Sequence, residues 1–383
     1  MRLKVPAPPM QMTQGGDAVD ALWHAEVPDD WDAWLADAAT EASFSQTAHW
    51  ALSNHLVNGV VPYVIEVRQA GRRIAGALFG HVHERTGTVA GAVKTLLAGR
   101  SRGWLESHAG PVILGASPAR SLAALLRAVD ELAGHLGVRL IRFSTQPALA
   151  AWPRQVDVAA LFEQAGYQAK PWATSIVDIA RPDPLLFADF SASARKGIRR
   201  CTDLNIDARE CRHASDIESK FLRTYIETRR ALGMSDRTAV EVPWLQSDSN
   251  PNYRFFIAEH SDGEVLGTLG TRRWNGIATE IYSERTIRAR AEKFPVQDLL
   301  HWRAFVAHRE CGDRWFDLAG FNPEPVDAKE EGIRAFKEKW HGRRVDLFLF
   351  EKGSPPAGYR LLKAAKARIT RAATRRGRRG AAP

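Results

Sequence analysis

At 383 residues the chain is too long for one ordinary core, and its length predicts two domains with adequate burial in each. A content of 45% hydrophobic and 25% charged residues is that of a soluble globular protein, and no stretch approaches the roughly 20 uninterrupted apolar residues needed to span a bilayer. The formal charge of +9 is unevenly placed: residues 354–383 hold nine Lys or Arg and no acid, so the body is neutral and the tail carries the excess.

The start, MRLKVPAPPMQMTQGGDAVD, has no apolar core of the kind a secretory signal needs, which predicts cytoplasmic residence. Cys201, Cys211 and Cys311 form no CxxC pair and no even set, which fits a reducing compartment and argues against a cysteine-based zinc site. Gln46 and Trp50, in FSQTAHW, read as core and hairpin support. Beyond residue 60, YVIEVRQAGRRIAGALFGHVHE predicts strand, turn and strand, with the turn at Gln69 to Arg72. His81 and His83 alternate toward one face of the second strand, but no third ligand accompanies them and no metal site is predicted. Pro118 to Gly137 places Leu122, Leu125, Leu126, Val129, Leu132, Ala133 and Leu136 on one helical face. A strand (VRLIRFS), a helix (DVAALFEQAGY) and a strand (ATSIVDIA) follow.

A seam is predicted between Ile179 and Phe190, where RPDPLLFADF holds two prolines. The same grammar then returns. RFFIAEHSDGEVLGTLGTRRW is a second hairpin with Asp262 and Gly263 at its turn, and a helix over Pro295 to Glu310 opens on its proline. The strand RWFDLAG, the helix of GIRAFKEKWHG, and the strand RRVDLFLF with Val345, Leu347 and Leu349 alternating complete the set. The order predicts an α/β (α+β) fold built by internal duplication, with domains at 18–180 and 181–353 and a basic tail at 354–383, helical and then disordered. Turning GIRAFKEKWHG by about 100° per residue puts Ile333, Phe336 and Trp340 on one stripe. Lys337 lies beside that stripe, away from Arg334, Glu338 and Lys339. A lysine there either lays its methylenes on apolar neighbours and lifts its ammonium into water, or holds the ammonium in a partly dry site.

FDLAGFNP followed by GIRAFKEKWHG resembles the end of the Fem family of aminoacyl-tRNA-dependent transferases, where a D-L-G-G-like strand end precedes a helix with an F-K pair and a glycine. FSQTAHW (Phe44 to Trp50) resembles the family's F-x-Q-x-x-W segment, AGPVI (Ala109 to Ile113) its G-P strand entry, and SARKGIRRCTDLNI the basic helix opening its second half. The resemblance covers roughly residues 40 to 350. It implies two tandem N-acetyltransferase-like (GNAT-like) domains. It also implies transfer of an amino acid from charged tRNA, as co-substrate without a resident cofactor, to an amine on a peptidoglycan precursor or a natural-product intermediate.

By this resemblance Lys337, supported by Phe336, faces the oxyanion that forms as an amine attacks the aminoacyl ester. A preorganised cation there is worth about 3 to 4 kcal/mol. Asp317, at the end of the D-L-A-G strand, either orients the amine and takes its proton or caps a neighbouring turn. A phosphorylated acceptor calls for arginine. YIETRRALG resembles the family's T-x-x-R segment with shifted spacing, so Arg229 and Arg230 compete for that part. Arg195, Arg199 and Arg200, with Lys196, form a basic cluster near the start of a helix, where phosphate or tRNA could also meet free backbone N–H groups.

An acyl-CoA-dependent N-acyltransferase is the alternative. It calls for an R/Q-x-x-G-x-G/A loop, whereas RTIRARAEKFPVQDLL lacks glycine and RSRGWL has leucine where Gly or Ala belongs. A non-catalytic RNA- or membrane-binding protein is the second alternative. The basic tail allows contact with RNA or with anionic lipid at the inner face of the membrane, or acts only as a solubiliser.

Overall fold

The computed structural model describes residues 19–38, 43–82, 103–114, 117–145, 157–233 and 252–353, Val57 by its backbone only. The basic tail and His83 lie outside these residues. In chain order the strands are β1 (Val19–His24), β2 (Val61–Gln69), β3 (Arg72–Val82), β4 (Trp104–His108), β5 (Val112–Ile113), β6 (Leu140–Ser144), β7 (Gln168–Asp178), β8 (Ile206–Glu210), β9 (Tyr253–His260), β10 (Val265–Trp274), β11 (Ile277–Arg285), β12 (Trp315–Phe321) and β13 (Arg343–Gly353). The helices used below are α1 (Trp31–Ala38), α2 (Ala48–Asn58), α3 (Pro118–Leu136), α4 (Val158–Gln164), α5 (Asp183–Asp189), α6 (Ala192–Asp203), α7 (Arg223–Ala231), α8 (Ile287–Ala291), α9 (Val296–Glu310) and α10 (Ala328–Glu338). The duplicated units were legible as β2, β3, α3, β6, α4 and β7, then β9, β10, α9, β12, α10 and β13. The sequence reading did not anticipate β1, β4, β8 or β11.

Local chemistry explains the elements that were legible. The apolar stripe of α3 buries Leu122, Leu125, Leu126, Val129 and Leu132, and Gly137, at φ 66°, ends the helix in a left-handed turn that β-carbons resist. The hairpin turn between β2 and β3 uses Ala70 and Gly71, both at positive φ, as the short turn requires.

All the strands join one sheet, in the order β1-β2-β3-β4-β6-β13-β7-β12-β11-β10-β9-β8, with β5 beside β3. This order is symmetric about the line between β13 and β7. On either side an antiparallel run leads to a parallel pair, β4 with β6 and β11 with β12. The last strand of each half has crossed over. β13 pairs with β6, and β7 pairs with β12, while β7 and β13 pair with each other from Gln168↔Glu351 to Ile176↔Arg343.

The cores follow the exchange. Val177 and Ile179, from the first half of the sequence, lie in the core of the second with Phe305, Phe316 and Trp340. Phe350, from the second, lies in the core of the first and stacks on Phe162 at 3.9 Å and 3°. Burying one such ring contributes about 1.5 to 3 kcal/mol. Gly342 lets β13 enter this position, since a β-carbon there would stand 2.5 Å from Ser175 Oγ and 2.9 Å from the Ile176 carbonyl oxygen.

A chain cut at residue 180 leaves each half without an inner strand. The fragment 181–353, expressed alone, is expected to show no cooperative thermal transition by circular dichroism, and the intact chain a single one. A cooperative melt of the fragment would contradict this account.

Candidate active site

The parallel strands β11 and β12 pair only over Ile277–Thr279 and Trp315–Asp317 and then part. Each is deflected just beyond that point. On β11, Gly270 of β10 faces Tyr282 while Thr271 faces Glu280, so Ile281 is an extra, bulged residue. The bulge turns Glu280 toward α9 and sends Tyr282 and Glu284 to the other face. On β12 the register against β7 slips between Asp317 and Gly320, and Ala319 sits at φ 61°. The resemblance places glycine at this left-handed position. Gly320 follows under the Trp172 ring, where a β-carbon would fall 1.9 Å from the indole nitrogen. The parting strands leave backbone on both sides of a wedge, and Lys337 enters it from α10.

Lys337 is 8% exposed, and its Nζ donates to the carbonyls of Ala319 (3.0 Å) and Gly320 (3.1 Å). These take two of its three N–H groups. Burial lowers the pKa of this ammonium, and the charges of Glu280 and Asp317 partly restore it. Burial would raise Glu280, but the field and hydrogen bond of His301, with Lys337, bring it below the ordinary carboxylate value. Asp317 moves the other way: burial raises it more than Thr174, Lys337 and the Ala319 N–H lower it. Its Oδ1 accepts from Thr174 Oγ1 and from the Ala319 N–H at 2.9 Å, so it also braces the turn that aims the Ala319 carbonyl at Lys337.

His301, fully buried on α9, lies between Phe336 (5.1 Å) and Trp340 (5.6 Å). Its Nδ1 stands 2.7 Å from the Gln297 carbonyl, which can only accept, so Nδ1 carries a hydrogen. Its Nε2 stands 3.1 Å from Glu280 Oε2, so ring and carboxylate can share a proton across this contact. Neither Glu280 nor His301 was singled out from the sequence. The spacing of His301 after the Pro295 helix start carries no mark of a partner on a strand 21 residues earlier.

Three expectations about α10 need adjustment. Phe336 and Trp340 do face the core, but Ile333 is 39% exposed because the helix meets the sheet only near its C-terminal end. Lys337, expected beside the stripe, is part of the buried face. Lys339, expected on the outer side, turns inward past the helix end, pairs with Asp298 of α9 and lies 4.0 Å over the Phe336 ring.

The arginines are not gathered around Lys337. Arg229 stands on the opposite face of the sheet, bonded to Tyr225 Oη (3.2 Å) and Glu284 (3.4 Å), while Arg230 is exposed. Arg195 closes the end of α5 through the Ala188 and Phe190 carbonyls, Arg199 lies 5.6 Å over Phe187, and Arg200 is exposed in the last turn of α6. The cluster thus runs along the middle of the helix, away from the free N–H groups at its start. Arg272 of β10 lies on the same face as Arg229, in a row with Thr279 and Asp317 across three strands; it bonds Ser45 Oγ at 2.8 Å and lies 4.9 Å over Trp50. Gln46 fills the support role read for it, accepting from the Leu78 N–H and donating to the His108 carbonyl.

RSRGWL does not open a helix: Gly103 leads into β4, and Ser101 and Arg102 lie outside the described residues. RTIRARAEKFPVQDLL folds as α8, capped by Thr286, before α9 begins. Among the described residues no group of three His, Cys, Asp or Glu could hold a metal ion, and no helix is long and apolar enough to cross a membrane.

No family model and no curated protein matches the chain. Among solved structures it is similar to FemX, with a TM-score of 0.62 and 13% identity over 83% of this chain and 94% of that one. The Fem-like fold of tandem GNAT-like units is therefore the fold of this protein. A tandem GNAT protein from the clavulanic acid biosynthesis pathway is similar at a TM-score of 0.55 and 14% identity, over 89% of this chain and 100% of that one. A conserved protein of unknown function from Bacteroides thetaiotaomicron gives 0.54 and 10%, over 86% and 99%. Within the Fem-like fold the two halves differ at the wedge. The Phe162–Glu163 pair of α4 follows the order of Phe336–Lys337 in α10, but Glu163 is exposed, and β4 pairs with β6 over four residues.

The depressed pKa of Lys337 has opposite consequences for activity and stability. Between the folded value and the ordinary 10.5, the unfolded chain binds the extra proton, so stability rises with pH in that window. Activity that needs the ammonium falls over the same window. Lys337→Met is expected to fold, to lose the stability rise, and to reduce kcat by about 10²- to 10³-fold. Denaturant melts and rates measured from pH 7 to 10.5 check both signs.

Proposed function

We propose that this protein is an acyltransferase that forms amides, moving an aminoacyl group from aminoacyl-tRNA to an amine acceptor. The observation that carries the reading is the Lys337 ammonium, held by two β12 carbonyls where β11 and β12 part, with Glu280 and His301 across the wedge. An aminoacyl ester is already activated, so the protein needs chiefly to position the reactants. The amine nitrogen attacks the ester carbon, and the carbonyl electron pair moves to the oxygen, where the remaining Lys337 N–H meets the charge. Collapse breaks the bond to the ribose oxygen. The Glu280–His301 pair takes the proton released by nitrogen and delivers the one it held to the departing oxygen.

The start of α9 favours a tRNA donor over acyl-CoA. A CoA pyrophosphate would sit at a helix N-terminus on free N–H groups. Here the first turn of α9 carries Asp298, 7% exposed and engaged by Lys339, and the segment before it has no glycine. The acceptor is an amine on a peptidoglycan precursor or a small secondary metabolite, and the tail is proposed to add contact with RNA or an anionic membrane surface.

Purified protein is incubated with a fully charged pool of labelled aminoacyl-tRNA and a cell-extract acceptor, with and without ribonuclease, beside a matched assay with labelled acetyl-CoA. Ribonuclease-sensitive labelling is expected, and labelling only from acetyl-CoA would overturn the tRNA reading. In the tRNA reaction His301→Asn is expected to lower kcat by about 10²- to 10⁴-fold with little change in KM, the range for a lost proton-transfer group.

A further inference from the structure

One buried acid at the wedge has no part in the proton transfer assigned to Glu280 and His301. Asp317 is buried in the same row of the sheet as Thr279 and Ile176. Glu280, the next residue along β11 after Thr279, points to the opposite face, toward α9 and His301. The two carboxylates thus lie on opposite faces of the sheet, and the charge of each bears on the Lys337 ammonium.

They differ in how well their charge is matched. Glu280 has His301 at 3.1 Å, and its pKa lies below the ordinary carboxylate value. Asp317 has no ion pair among the described residues. Its Oδ1 takes both of its hydrogen bonds, from Thr174 Oγ1 and the Ala319 N–H, while Oδ2 takes none and is not sealed from solvent. Lys337 donates to the Ala319 and Gly320 carbonyls. Arg272, the other cation whose charge reaches Asp317, bonds Ser45 and lies over Trp50. Burial therefore keeps the Asp317 pKa raised. A carboxylate so placed is short of a bonded cation on its Oδ2 side.

An aminoacyl group brings such a cation to that place. Ordinary bond lengths and angles hold its α-nitrogen within roughly 3 to 3.5 Å of its own carbonyl oxygen. A carbonyl oxygen facing Lys337 therefore sets a second ammonium beside the first, and a carboxylate next to both offsets their repulsion. Glu280 is already engaged by His301. We infer that Asp317 Oδ2 accepts a hydrogen bond from the α-ammonium of the aminoacyl donor, which makes Asp317 a specificity-determining residue for donors with a free α-amino group. The assignment rests on the aminoacyl-transfer reading. A simple acyl group, or an aminoacyl group acylated on its nitrogen, offers no cation and leaves the carboxylate buried and unpaired. A site built around such a bond rejects the analogue that lacks it.

The test is calorimetric titration of the full-length protein with two stable donor mimics and no acceptor. One is adenosine whose ribose carries glycine through an amide; the other is its glycolyl counterpart, with a neutral hydroxyl in place of the ammonium. Glycine needs no side-chain pocket, so the unknown amino acid does not enter. The wild-type protein is expected to bind the glycyl compound at least about tenfold more tightly than the glycolyl one. Asp317→Asn keeps Oδ1 for the Ala319 N–H and puts an amide nitrogen in place of Oδ2, and it is expected to abolish the preference. Glu280→Gln is expected to keep it. Where Asp317→Asn fails to fold, the wild-type protein still decides, since its preference is expected to disappear as pH rises above the ordinary α-amino pKa of about 8. Equal binding of the two compounds, binding of neither, a preference that survives in Asp317→Asn or above that pH, or one lost in Glu280→Gln would overturn the inference. Because no acceptor is present, each of these results leaves ribonuclease-sensitive transfer standing, and loss of that transfer leaves an Asp317-dependent preference standing.

Discussion

Two strands that each belong to both halves hold this molecule together. β13 fills the gap beside β6, and β7 fills the gap beside β12, so neither half completes its sheet from its own sequence. Because β7 and β13 also pair with each other, a shift of one is transmitted to both halves. Packing reinforces the ladder: Phe350 stacks in the first core, and Val177 and Ile179 fill the second. The pairing imposes one register on two cores, and this ties the position of β12, and so of the candidate site, to strands from the far half of the chain.

Lys337 illustrates what that rigidity permits. An ammonium removed from water loses several kcal/mol of solvation unless its hydrogens are taken up. Here the left-handed Ala319 and the Asp317 bracing present two carbonyls to it, and Glu280 with Asp317 supplies compensating charge. Two of its three N–H groups are thus taken by backbone, and the third is left toward the wedge. The same reasoning accounts for Lys339 beside it, which is satisfied by Asp298 and the Phe336 ring and has a structural part.

The halves have kept a common frame and diverged in chemistry. The second has a bulged β11, a wedge, and a lysine inside it. The first has a parallel strand pair joined over four residues, an exposed Glu163 on α4, and a recess on its α2 side. Arg272 spans the junction, its backbone in the second half and its guanidinium against the first.

The sequence by itself determined the duplicated strand and helix order, the hairpins, the leucine face of α3 and the motif that singles out Phe336 and Lys337, because these are set by local periodicity and by turn residues. It did not show that the final strands change places, since alternation along RRVDLFLF is the same whichever neighbour it pairs with. Nor did it show Glu280 and His301, which become partners only when a bulge at Ile281 turns one strand residue toward a helix. Ile333 and Lys339 were misplaced for a related reason: an ideal helical wheel assumes even contact along α10, whereas the sheet meets only its end. The arginines of 195–200 and of 229–230 read as two separate candidates for phosphate or tRNA, and tertiary structure sets them on two faces of the sheet. Local chain geometry is written in nearest neighbours, and the charge balance of a buried site depends on residues that only folding brings within reach.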